Sequence, residues 1–214
     1  MAASERILDP IERTTEVMFG IIMVLTFTSS ISVVEGGEAE NRTILLGAIG
    51  CNLAWGLIDA VFYLLANFTQ RARGLEILRA VRGARTDEAQ RLLLDALPSP
   101  VAEVLTPDDI DALRERLRHQ PEPPARVAVE GRVLKGAFGV FLLVFLSTFP
   151  VVIPFLVVPQ PALALRTSNA VALVMLFVTG WSLGKYARRP AWLVGLGTVG
   201  LGVILVAITI ALGG

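Results

Sequence analysis

Five stretches of this 214-residue chain are almost free of charge, and a sixth carries most of it. The apolar runs cover residues 17–34, 44–68, 133–158, 170–186 and 191–212. A helical membrane span needs about 20 mostly apolar residues, so each run is a candidate span. Backbone groups in lipid must pair within their own segment. The runs are also too continuously apolar for the alternating strands of a barrel. The pattern therefore predicts an all-α membrane protein with five transmembrane helices.

Between the second and third runs the periodicity becomes amphipathic. Residues 69–132 read as a small helical insert, dividing the chain into 1–68, 69–132 and 133–214. Within it Leu75, Leu78 and Val81 share one helix face. Thr86 is expected to cap one helix and Thr106 another, the latter with Pro107 at its first position and Asp109 three residues on. Such short helices require packing partners. "QPEPPAR" (120–126) reads as a stiff linker back to the membrane.

Composition agrees with the membrane class: 54% of residues are hydrophobic and 18% charged, against about 25% charged in soluble domains. Net charge is zero, and no nucleic-acid partner is expected. One cysteine, Cys51, and one histidine, His119, leave no disulfide framework and no multi-histidine or cysteine metal centre. The first apolar run lacks a basic lead and a small-residue cleavage site, so it is expected to be a retained span.

Lys and Arg fix the expected orientation. The first loop, "EGGEAENR", has three acids and one Arg, whereas the insert is rich in Arg, with Arg71 and Arg73 at the membrane edge. The third loop has Arg166, and the fourth has Lys185, Arg188 and Arg189. This places the N-terminus and insert in the cytoplasm and the C-terminus outside, in what is expected to be a bacterial inner membrane.

Polar residues inside the spans are the candidate chemistry. Asn52 and Asp59 lie seven apart on one helix face, which Tyr63 continues. A carboxylate near the middle of a span costs about 2.5–3.5 kcal/mol on insertion scales. One reading is a cation or proton pathway; the other is an interhelical hydrogen bond, each worth about 0.6 kcal/mol. Span one offers Glu16 at its inner mouth, either a solvated first-turn acid or a ligand, and Met23, either core or a soft ligand. Pro150 and Pro154, four apart in span three, predict a helix kink. The acids of the insert are interleaved with Arg and read as a solvated surface rather than a metal cluster. "GLGTVG" (195–200) matches a dinucleotide-binding fingerprint by letter, yet it lies inside span five and no acid follows. Close helix packing is the expected use of those glycines.

The order of these pieces is distinctive. "EVMFGIIMVLTFTSS", "GAIGCNLAWGLID", "FLSTFPVVIPF" and "FVTGWSLGKYARRPAWLVGLGTVGLG" together resemble the spans of the vacuolar iron transporter family. The resemblance implies a homodimer exchanging cytosolic Fe²⁺ or Mn²⁺ for protons, with no cofactor beyond the transported ion. By this likeness Met23 stands where the family carries an acid. Leu53 and Leu57, around Gly56, stand where it carries a methionine and a glutamate. Asp59 follows two residues later, about 200° around the helix. The family's glutamate-rich cytoplasmic site has no clear counterpart.

The resulting expectation is a membrane transporter, not an enzyme, with membrane lipid, a divalent cation and a second copy as partners. Asp59 is the central ligand, and Asn52, Glu16 and Met23 assist. The alternative is a non-transporting membrane protein whose insert docks a protein partner.

Overall fold

The computed structural model describes residues 7–34, 41–121, 128 and 130–211. The loop at 35–40 and residues 122–126 of the expected linker lie outside them. All elements among the described residues are helices: α1 (Pro10–Val34), α2 (Asn41–Gly83), α3 (Thr86–Ala96), α4 (Ser99–Ala102), α5 (Pro107–Arg118), α6 (Gly131–Val152), α7 (Pro154–Val157), α8 (Pro161–Tyr186) and α9 (Ala191–Ala211). Five stretches are long and apolar enough to cross a membrane, carried by α1, α2, α6 with α7, α8, and α9. The chain is an all-α integral membrane protein.

Helix ends follow capping chemistry rather than hydropathy. The α1 helix starts at Pro10, seven residues before the apolar run. There the Asp9 carboxylate accepts the Ile11 N–H at 3.0 Å, and the Glu12 carboxylate accepts the Asp9 N–H at 2.8 Å. The α2 helix does not stop at Phe68. The following "TQRARGLEILRA" has no proline, and its long straight side chains favour helix. The α8 helix begins nine residues earlier than expected, so Arg166 is helical rather than in a loop. Hydropathy marks where the surroundings change, not where backbone hydrogen bonding ends.

The chain divides into two compact units. The first comprises the residues up to Tyr63 together with those from Gly131 on. Its core joins Ile21, Val24 and Leu25 of α1 to Ile44 and Ala48 of α2, with Val151, Phe155, Ala172 and Leu176 from the later helices. Close approach is set by small residues. At Gly20 an added Cβ would lie 2.6 Å from the Val144 carbonyl oxygen of α6. At Gly195 it would meet the Phe177 ring and carbonyl of α8 at 2.9–3.0 Å. Thr198 completes that contact by donating to the Leu176 carbonyl at 2.8 Å. Within "GLGTVG" Gly195 therefore packs, while Gly197 and Gly200 face open space.

The turn between α8 and α9 is a Schellman closure: the Arg189 N–H reaches the Gly184 carbonyl at 3.0 Å. It places Arg188 at φ 52°, in the left-handed region that glycine usually fills.

The expected kink falls at the second proline. The α6 helix runs through Pro150 to Val152, and α7 restarts at Pro154. The buried Ser168 hydroxyl donates to the Val151 carbonyl at 2.7 Å beside this break.

The second unit, Leu64–Glu130, has its own small core of Val81, Ala89, Leu93 and Ile110. The Arg82 guanidinium donates to the carbonyls of Arg118, Gln120 and Pro121 at 2.9, 2.6 and 3.2 Å. A cation thereby closes the C-terminal end of α5. Thr106 forms the expected cap, reciprocated by Asp109. The hydrogen bonds from the Thr106 hydroxyl and N–H hold the Asp109 carboxyl below its ordinary range. Thr86 is not a cap. Arg85 occupies that position, and the Thr86 hydroxyl instead accepts from Arg114 at 2.9 Å.

Candidate functional site

The antiparallel run of α1 against α2 places acid opposite acid. Glu16, in the second turn of α1, has the Asp59 carboxylate as its electrostatic neighbour, with Glu12 also within range. Asp59 thus lies level with the first turns of α1. Hydropathy of α2 alone gives no depth marker; packing against α1 supplies it. Asp59 is half-buried, and its Oδ2 is shielded from solvent without a hydrogen-bond partner. Phe19 and Trp55 meet edge to face beside the pair, with ring centroids 5.9 Å apart.

Asn52 sits two turns before Asp59 on the same face and is fully buried. Its side-chain amide donates to the Gly20 carbonyl of α1 at 2.9 Å and to the Thr148 hydroxyl of α6 at 2.5 Å. Asn52 therefore ties three spans at one point. Both amide hydrogens are spent on protein acceptors, while Oδ1 remains buried and unpartnered. Tyr63, further along the stripe, covers Gly136: a Cβ there would lie 2.5 Å from the Tyr63 oxygen.

Of the sequence-derived candidates, Glu16 and Asp59 lie on neighbouring turns of α1 and α2, a register fixed by Phe19 against Trp55 and Asn52 against Gly20. Asn52 lies one turn deeper along α1, at Gly20. Met23 is half-buried on the Glu16 face of α1, two turns on. Pro150 is exposed on α6, and Pro154 is buried at the start of α7. Leu53 and Leu57, where the family likeness would put a methionine and a glutamate, are exposed on the outer side of α2 at 42% and 54%. Gly56 between them is buried against Phe141.

Sequence reasoning missed Thr148 and its neighbour Ser147. Both are buried hydroxyls on α6 in "FLSTFP", and their position beside the prolines hid their use. Among the described residues no group of three His, Cys, Asp or Glu side chains converges as a metal cage. The two acids, with Asp59 Oδ2 unpartnered, are consequently an open arrangement. It can share a cation or a proton transiently.

A search of the curated proteins finds no match to this chain. A family model described as "VIT family" matches residues 82–214, more than half of the chain. The matched stretch includes the last three spans and leaves out the two that carry Glu16, Met23, Asn52 and Asp59.

Proposed function

Because the chain belongs to the VIT family, whose members move metal ions across membranes, we propose that it carries Fe²⁺ or Mn²⁺ in exchange for protons. It does so as a homodimer in a bacterial inner membrane, with the N-terminus and insert cytoplasmic and the C-terminus outside. The observation that carries the proposal is the register of α1 against α2, which sets Glu16 and Asp59 on facing turns, with Asp59 Oδ2 unpartnered.

Two ionised carboxylates in one neighbourhood repel, and the repulsion strengthens as water is excluded. A divalent cation removes it, and so does a proton. The two cargoes therefore compete for the same oxygens, which is the elementary requirement for exchange. Carboxylate oxygen suits Mn²⁺, and mixed oxygen and thioether donors extend the range toward Fe²⁺. Beyond the pair, Asn52 Oδ1 offers a neutral oxygen and Met23 a soft sulfur further along the path.

The test is Mn²⁺ and Fe²⁺ uptake into proteoliposomes under an imposed pH gradient. Asp59→Asn and Glu16→Gln should each cut flux by tenfold or more while Met23→Leu costs less. Unchanged flux in Asp59→Asn removes that carboxylate from the mechanism. Absence of flux in the wild-type protein removes Fe²⁺ and Mn²⁺ as cargo.

A further inference from the structure

A groove of about 510 Å³ runs along α6 between the beginning of α1 and α8. It passes from Leu8 and Gly139 at one end, along Leu143 and Leu146, to Pro150 at the other. Its walls are largely apolar, with Ser147 toward the Pro150 end and Arg13 toward the Leu8 end. Leu8 reaches over α6 there, 3.1 Å from where a Gly139 Cβ would stand. Lys135 lies one turn before Gly139 on α6 and is exposed.

Among the described residues, no carboxylate forms an ion pair with Arg13 or Lys135. The acids nearest in sequence are directed elsewhere. Asp9 and Glu12 accept backbone N–H groups of the α1 cap, and Glu16 neighbours Asp59. Arg13 thus lines the groove without an ion-pair partner among the described residues, and Lys135 stands on α6 one turn beyond the lining.

We propose that this groove binds an anionic phospholipid, with one acyl chain along α6 and the phosphate at Arg13 and Lys135. The dimensions agree. From Gly139 to Pro150 the helix rises about 16 Å, close to one leaflet, or half of the roughly 30 Å hydrocarbon layer. A guanidinium with free donors favours phosphate oxygens through charge-assisted hydrogen bonds. A lipid lacking net charge would fill the groove but leave the mouth uncompensated.

The full-length protein is reconstituted into vesicles containing equal parts of phosphatidylglycerol and phosphatidylcholine with identical acyl chains. It is then re-extracted, and its retained lipids are quantified by mass spectrometry. The wild type should retain phosphatidylglycerol above the vesicle proportion. Arg13→Gln should reduce that enrichment roughly fivefold, the effect of one basic residue at an anionic surface, while Arg13→Lys preserves most of it. Leu146→Trp, at an exposed position on the groove wall, should lower retention of both lipids. Retention of the two lipids in vesicle proportion by the wild type overturns the proposal. So does persistent enrichment in Arg13→Gln, or unchanged retention in Leu146→Trp.

Discussion

Gly20→Ala tests the contact that organises the first three spans. The added Cβ would meet the Ser147 hydroxyl, which can rotate away, but also the Val144 carbonyl oxygen at 2.6 Å and the Val144 Cα at 3.1 Å. Those backbone atoms belong to the interior of α6 and cannot move alone, so α1 and α6 must separate by about half an ångström. The Asn52 amide bridges these two helices, at 2.9 Å to Gly20 and 2.5 Å to Thr148. The same separation stretches its bonds toward the limit of useful geometry.

Overpacking of this kind costs about 1–3 kcal/mol. A weakened interhelical hydrogen bond adds about 0.6 kcal/mol at most sites. The expected loss is near 2 kcal/mol, a fall of roughly 4–8 °C in unfolding temperature for a chain of this size. Thermal unfolding in detergent measures it, with Gly50→Ala as the internal control. Gly50 lies on the neighbouring span α2 and has nothing within 4 Å of an added Cβ, so its replacement should be neutral or slightly stabilising. Equal unfolding temperatures for the two variants would falsify the close approach of α1 and α6.

Ile110→Ala should open the second unit selectively: Ile110 is 3% exposed in a four-residue core, and such truncations cost about 2–5 kcal/mol. Native-state trypsin cleavage within residues 64–130 should accelerate about tenfold or more, and an unchanged rate would deny that this core holds the unit together. The Asp109 cap should be pH-sensitive in one direction only. Its folded carboxyl titrates below the ordinary value, so its contribution is complete above about pH 4 and disappears as pH falls through the lower folded value. Acid titration of α5 helicity in wild type and Asp109→Asn should differ above that transition and converge below it; parallel curves would refute the assignment. Arg188→Gly should stabilise the α8–α9 turn by about 0.5–1 kcal/mol, since relief of a left-handed residue exceeds the entropy that glycine adds to the unfolded chain. A lower unfolding temperature in that variant would contradict it.

Much of the site was legible as a list of residues, but little of it as an arrangement. Asn52 and Asp59 stand out because polar side chains are rare within apolar runs, and their seven-residue spacing places them on one face. Glu16 was ambiguous because nothing in span one indicates which acid of a neighbouring helix it will meet. Met23 and the twin prolines are conspicuous by residue type, yet they lie apart from the two acids. Thr148 was invisible for the opposite reason. Hydroxyls in membrane helices commonly bond their own preceding turn, so sequence alone does not distinguish one that accepts from a distant amide.

The five spans, the all-helical class and the change of character at the insert were determined by the sequence itself. They depend on local quantities: the length of an apolar run, the distribution of basic residues, and caps such as Thr106–Pro107–Asp109. Helix limits in α1, α2 and α8 escaped hydropathy, because hydrogen bonding continues past the edge of an apolar stretch. The register that brings Glu16 opposite Asp59, the three-span bridge at Asn52 and the placement of Arg13 along the α6 groove were decided only by tertiary packing. Each joins residues far apart along the chain, and their relative depth is set by how closely glycine lets one backbone approach another.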